Sequence, residues 1–155
     1  MRRRLLILMM PVLLFAAEDP GGWTKAKWGM TSAEIIKLFQ GDAAGSTPRL
    51  TIPSYEVAGT KFRVLLIMDK DDRLDHVSLS PIAMADSTDA LFQSVEELLV
   101  QRYGRPWKSD EAGTTEFQWT FPTTVITLSR TKSAIAGAAL VSISYRHRAT
   151  DADRM

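Results

Sequence analysis

Hydrophobic and polar positions alternate most clearly from Lys61 to Asp69, "KFRVLLIMD", where Phe62, Val64, Leu66 and Met68 share one face. Leu65 and Ile67 make the other face apolar too, which places this strand inside a sheet. The same period of two recurs nearby. Leu50 to Ala58 is a rougher strand, and its Pro53, which has no N–H to give, suits an edge. Leu74 to Pro81 returns with Val77 and Leu79 on one face. Further on, Thr114 to Phe121 alternates through Phe117, Trp119 and Phe121. Thr124 to Arg130 carries Ile126 and Leu128, and Leu140 to His147 turns Val141, Ile143 and Tyr145 inward.

The period lengthens at two places. In "WGMTSAEIIKLF", Thr31 and Glu34 have the spacing of a capping box, with the Thr hydroxyl accepting from the backbone of the third helical residue and the Glu reaching back. Met30 and Ile35 stand where a hydrophobic staple would close, and Ile35, Leu38 and Phe39 form one apolar face. Gly41 is a plausible stop. The second helix starts at Asp86-Ser87 and runs to about Tyr103, burying Leu91, Val95, Leu98, Leu99 and Tyr103. Gly104 and Pro106 end it.

The expectation is an α+β fold in the order α-β-β-β-α-β-β-β: two main helices and an antiparallel sheet of about six strands. Each half reads as one helix followed by a meander, a repeat of architecture without residue-level self-similarity. One sheet face lies under the helices and the other meets water. That open face presents Leu65, Ile67, His76, Ser78, Gln118, Thr127, Ser142, Ser144 and Arg146. An apolar pair in a polar field is a candidate docking surface, so Leu65, Ile67, His76, Gln118 and Arg146 are the candidate binding residues. A loop or the N-terminal arm would cover the face if it is not a docking surface.

The ends of the chain add a location. Arg2, Arg3 and Arg4 precede the apolar run "LLILMMPVLLFAA", Leu5 to Ala17, and together these read as a secretory signal peptide over residues 1–17. The run falls short of the roughly 20 residues a comfortable span needs, so a retained anchor is the second reading and no stable membrane span is expected once the signal is cut. Residues 18–27, with Pro20, Gly21 and Gly22, read as a flexible arm, 28–148 as one domain, and 149–155 as a disordered tail. The product would be periplasmic or extracellular.

This changes the meaning of the charge. The whole chain of 155 residues carries 19 Lys+Arg against 18 Asp+Glu, or +1. Without the three leading arginines it has 16 basic residues against 18 acidic ones, a net −2. A faintly acidic protein lacks the basic footprint of a nucleic-acid binder. Cysteine is absent, which excludes thiolate metal sites, thiol nucleophiles, disulfides and lipid attachment through an N-terminal cysteine.

Catalytic signals are sparse. His76 and His147 have no partner at a recognisable spacing, and a hydrolase would need them, or one of them with carboxylates, to converge in a cleft. "DKDDRLD", Asp69 to Asp75, has acids at alternate positions but neither the bend glycine nor the distal Glu of a calcium loop, so it reads as a solvated turn. No Gly-x-Ser-x-Gly elbow or glycine-rich phosphate loop occurs. Trp119 belongs to the core by alternation, and Trp28 wedges the first helix onto the sheet. Trp107 follows the second helix, and Trp23 in the arm either anchors a partner or packs back.

The opening Trp28-Gly29-Met30-Thr31 with Glu34, continued by "AGTKFRVLLIMDKDDRLDHVSLSP" and "RYGRP", resembles small exported bacterial proteins over most of the mature chain. The helix-plus-meander unit also looks like the β-lactamase inhibitor protein fold and the small lipoprotein of the outer-membrane assembly machinery. Those resemblances imply binding to another protein, not catalysis, although the lipoprotein's cysteine is missing here and no binding residue carries over. The resulting expectation is an exported, non-catalytic module that binds another exported or envelope protein and holds no tight cofactor. The alternative is a small-ligand or lipid carrier with a cavity between sheet and helices.

Overall fold

A computed structural model describes residues 17–132 and 139–149. The expected signal peptide up to its last residue, the connection at 133–138 and the tail from 150 onward lie outside the described residues. Along the chain come β1 (Gly22–Trp23), β2 (Ala26–Lys27), α1 (Ser32–Leu38), β3 (Ala44–Ser46), β4 (Arg49–Val57), β5 (Thr60–Met68) and β6 (Leu74–Pro81). There follow α2 (Asp89–Tyr103), β7 (Trp107–Glu111), β8 (Thr114–Thr120), β9 (Thr124–Lys132) and β10 (Ala139–His147).

The α+β class and the two helices stand, but the strand count and order change. The main sheet has eight antiparallel strands in the order β3-β4-β5-β6-β10-β9-β8-β7, and β1-β2 form a separate two-stranded sheet. Each half is a helix followed by a four-strand meander, and the halves join where their last strands pair, Leu79 opposite Ile143 and Val77 opposite Tyr145. The two main-sheet strands absent from the expectation, β3 and β7, are that sheet's edges. Both are short, and none of their residues is buried, so no alternation marks them.

Phe62, Val64, Leu66, Val77, Leu79, Ile126, Leu128 and Ile143 project from one sheet face into the core, where each contributes about 1.5–3 kcal/mol by leaving water. Pro53 falls in a break of register between Ile52 and Tyr55. β3 pairs with β4 only through Arg49–Thr51, so the stretch carrying Pro53 is an edge as expected.

α1 begins as the sequence predicts. Thr31 accepts from the Glu34 N–H at 3.3 Å, and the Glu34 carboxylate accepts from the Thr31 N–H at 2.8 Å. α2 starts later than expected, with Thr88 as its cap, because Ser87 is used elsewhere: its buried hydroxyl accepts from the Val141 N–H at 2.8 Å and ties the loop to β10. The buried stripe is Leu91, Phe92, Val95 and Leu99, whereas Leu98 is exposed.

The arm expected to be flexible is a hairpin packed against the domain. Trp23 is buried, edge-on to Tyr55 at 4.9 Å and stacked with Phe39 at 6.0 Å. Gly22 is required there, since a Cβ would collide with the Ala26 carbonyl. Asp19 fixes the arm to the β8–β9 turn. Its carboxylate accepts from the Thr123 N–H at 2.6 Å, and from the Thr123 and Thr124 hydroxyls at 2.8 Å each. The Trp28 indole donates to the same Thr124 hydroxyl oxygen at 2.8 Å.

Candidate functional site

Both helices and the β1–β2 hairpin pack on the core side, so the register of the sheet defines what the other face offers. One line across it runs Arg49, Ile67, His76, Arg146, Val125 and Thr120, each directly opposite the next. The adjacent line runs Thr51, Leu65, Ser78, Ser144, Thr127, Gln118 and Trp107. Ile67, His76 and Arg146 are thus immediate neighbours on three strands, with Leu65 beside them one line away. Gln118 shares the face but stands three strands from Leu65's partner Ser78. Its neighbour is Trp107, which sequence reasoning did not place here.

The face changes character from one half to the other. On β4, β5 and β6 the apolar pair Leu65 and Ile67 is bordered by the exposed Arg49 and Arg63, with Arg146 beyond His76 in line. On β8, β9 and β10 a polar depression of about 280 Å³ is lined by Glu116, Gln118, Val125, Thr127, Ser129, Ser144 and Arg146. Trp107, 62% exposed, stands at its β7 side.

His76 is half-buried, and its Nε2 is enclosed without a hydrogen-bond partner. Burial pushes the imidazole below its usual range, the Arg146 guanidinium adds to this, and Asp75 opposes it. The neutral ring is therefore favoured. His147 lies on the core side, stacked on Trp28 at 5.7 Å, with its Nδ1 3.8 Å from an Asp75 carboxylate oxygen. The two histidines face opposite sides of the sheet and do not form an acid–base pair.

The Asp69–Asp75 turn is organised by its own carboxylates. Asp69 accepts from the backbone of Asp71 and Arg73 at 2.8 and 3.0 Å. Asp72 reaches across to α1 and accepts from the Ser32 hydroxyl at 2.9 Å and the Thr47 hydroxyl at 2.8 Å. These bonds hold Asp72 below the usual carboxylate range. Among the described residues no group of three or more His, Asp or Glu could hold a metal ion.

On the core side a cavity of about 280 Å³ opens between the hairpin, the β4–β5 turn and α2. Trp23, Tyr55, Tyr103 and Tyr145 line it, with Lys27, Glu56 and Arg102. Burial pushes the Tyr145 phenol well above its usual range, and its hydrogen bond with Tyr103 acts in the same direction. Across Trp23 and Tyr55 lies a shallower groove of about 620 Å³ along Phe39, Ile52 and Pro53.

No helix among the described residues is long and apolar enough to cross a membrane. No family model matches the chain, and no curated protein matches it. A crystal structure of a DUF4309 family protein, YjgB, from Bacillus subtilis is similar over 76% of this chain and 78% of that one, at 8% identity and a TM-score of 0.41, a likeness at which no residue role transfers.

Proposed function

We propose that this chain is an exported, non-catalytic binding module that recognises another exported or envelope protein through the open face of its sheet. The observation that carries the reading is the patch on β4–β6 and β10. Leu65 and Ile67 supply an apolar centre, and Arg49, Arg63 and Arg146 supply a rim of one sign. An apolar centre with a polar rim rich in arginine is the composition of a protein interface. The matching partner surface is an apolar patch edged by carboxylates. The basic, apolar N-terminus and the resemblance of the Trp28–Glu34 motif to small exported proteins support the location.

The test is affinity capture from an envelope extract with tagged protein spanning Glu18 to Met155. A protein retained in stoichiometric amount by the wild type and by Leu98→Asp, on exposed helix surface, but lost with Ile67→Asp, supports the reading. Capture indifferent to Ile67→Asp, in a variant whose melting shows it folded, removes the face from consideration.

The cavity bounded by Trp23, Tyr103 and Tyr145 favours a second reading, a small-ligand carrier. Native mass spectrometry of the purified protein distinguishes the two: a retained small molecule supports the carrier, and the bare chain mass counts against it.

A further inference from the structure

Trp107 has no structural task that accounts for its position. Of the other tryptophans, Trp23 and Trp119 are buried and Trp28 is hydrogen-bonded to Thr124. Trp107 stands 62% exposed on an edge strand that backbone pairing to β8 already holds, and whose other side places Lys108 over the Phe117 ring at 5.7 Å. A large aromatic with only two side-chain torsions loses little entropy on binding. The electron-rich face of its ring attracts the weakly positive C–H groups on the flat side of a pyranose sugar.

The surface beside it is polar, neutral in sum and held in place. The line from Trp107 through Gln118 and Thr127 to Ser144 crosses three strand spacings, about 14 Å. Gln118 donates its amide N–H to the Thr120 hydroxyl at 3.3 Å, which fixes the side chain and uses none of the carbonyl oxygen's capacity to accept. Ser129 and Ser142 bond each other at 2.8 Å. Hydroxyl and amide groups both donate and accept, as sugar hydroxyls do, and prior fixation lowers the entropic cost of engaging them. Glu116 flanks the line on one side and Arg146 on the other. Their charges oppose, so a strongly anionic or cationic polymer meets repulsion from one of them, and an uncharged chain does not.

We infer that the β7–β10 half of the open face binds a neutral glycan of pyranose units, stacked on Trp107 and hydrogen-bonded along Gln118, Thr127 and Ser144. This goes beyond the protein-binding reading, whose apolar centre lies on the other half of the face.

The experiment is a titration of the purified protein with cellohexaose, chitohexaose and laminarihexaose, followed by tryptophan fluorescence and calorimetry. The wild type should show a saturable blue shift with at least one of the three. Trp107→Ala should lower that affinity by about tenfold or more, as truncation of a central aromatic anchor does, with an unchanged melting curve. Trp107→Phe, which keeps a smaller ring, should fall between them. Ile67→Asp should leave the glycan response intact even where it abolishes protein capture, so the two readings fail separately. No response of the wild type to any of the three hexasaccharides overturns the inference. So does a response that survives both Trp107→Ala and Gln118→Ala.

Discussion

The two halves of the sheet reach the same architecture by different means. α2 has fifteen residues and buries four apolar side chains against β8–β10. α1 has seven residues and buries only Ile35. So short a helix is unstable by itself. The first half makes up the difference with an aromatic plug. The arm inserts Trp23 against Phe39 and Tyr55, covering sheet that a longer helix would have covered. Polar ties hold both helix starts: the Asp72 carboxylate in the β5–β6 turn accepts from the Ser32 hydroxyl of α1 at 2.9 Å, and the Asp89 carboxylate of α2 accepts from the Arg130 guanidinium of β9 at 2.8 Å. Continuous apolar burial under α2 therefore holds one half, and in the other an aromatic plug from a distant segment makes up for a short helix.

The largest expected effect tests the plug. Trp23→Ala should destabilise the whole domain by about 4 kcal/mol, the range for truncating a buried aromatic. Urea unfolding checks it. A value within error of zero would mean the arm is an appendage and α1 holds its half alone. Leu99→Ala in α2 should cost about 3 kcal/mol, since Leu99 is buried in the apolar stripe of that helix. If Leu99→Ala proves nearly neutral, apolar burial is not what holds the second half.

The difference between the halves also explains what could be read from the sequence. The capping box, the β5 alternation and the inward residues of β8–β10 were legible because each is a local pattern. The arm was not. Pro20, Gly21 and Gly22 look like breakers, but Gly22 is there because Ala26 approaches too closely for a Cβ. Nothing near Trp23 in sequence announces Phe39 or Tyr55. β3 and β7 escaped because short edges without a buried residue carry no period-two signal. Ser87 looked like part of a cap and instead serves β10, an assignment only the tertiary contact reveals. For the candidate site, alternation placed Leu65, Ile67, His76, Gln118 and Arg146 on one face. It could not show that Trp107 lies opposite Gln118, because that pairing depends on the unrecognised β7.

A third test separates the arm's polar fastening from its plug. Burial pushes the Asp19 carboxyl up, but its hydrogen bonds from Gly21, Thr123 and Thr124 outweigh this and hold it below the ordinary value of 3.8. A depressed carboxylate contributes its full stability above the unfolded value and loses it as pH falls through the lower folded one. Stability should therefore decline on acidification below about pH 4. Asp19→Asn should flatten that part of the profile. At neutral pH Asp19→Ala should cost about 1–2 kcal/mol, at the low end for bonds to a charged group because the carboxylate keeps contact with water. An acid limb of identical slope in Asp19→Asn would assign the pH dependence to other carboxylates.

The smallest effect compares the two helix starts directly. Thr31 and Thr88 are both N-caps, and each hydroxyl accepts from a backbone N–H, at 3.3 Å from Glu34 and 3.1 Å from Leu91. Replacing either with Ala should cost about 1 kcal/mol if the cap bond alone matters. The Thr31 hydroxyl also donates to the Glu34 carboxylate at 3.1 Å, and α1 has little burial to absorb the loss. Thr31→Ala should therefore expose α1 amides to hydrogen exchange selectively, whereas Thr88→Ala should leave α2 exchanging only through global unfolding. Equal and purely global effects in both variants would mean that the tie from Asp72 through Ser32, rather than the capping box, fixes the start of α1.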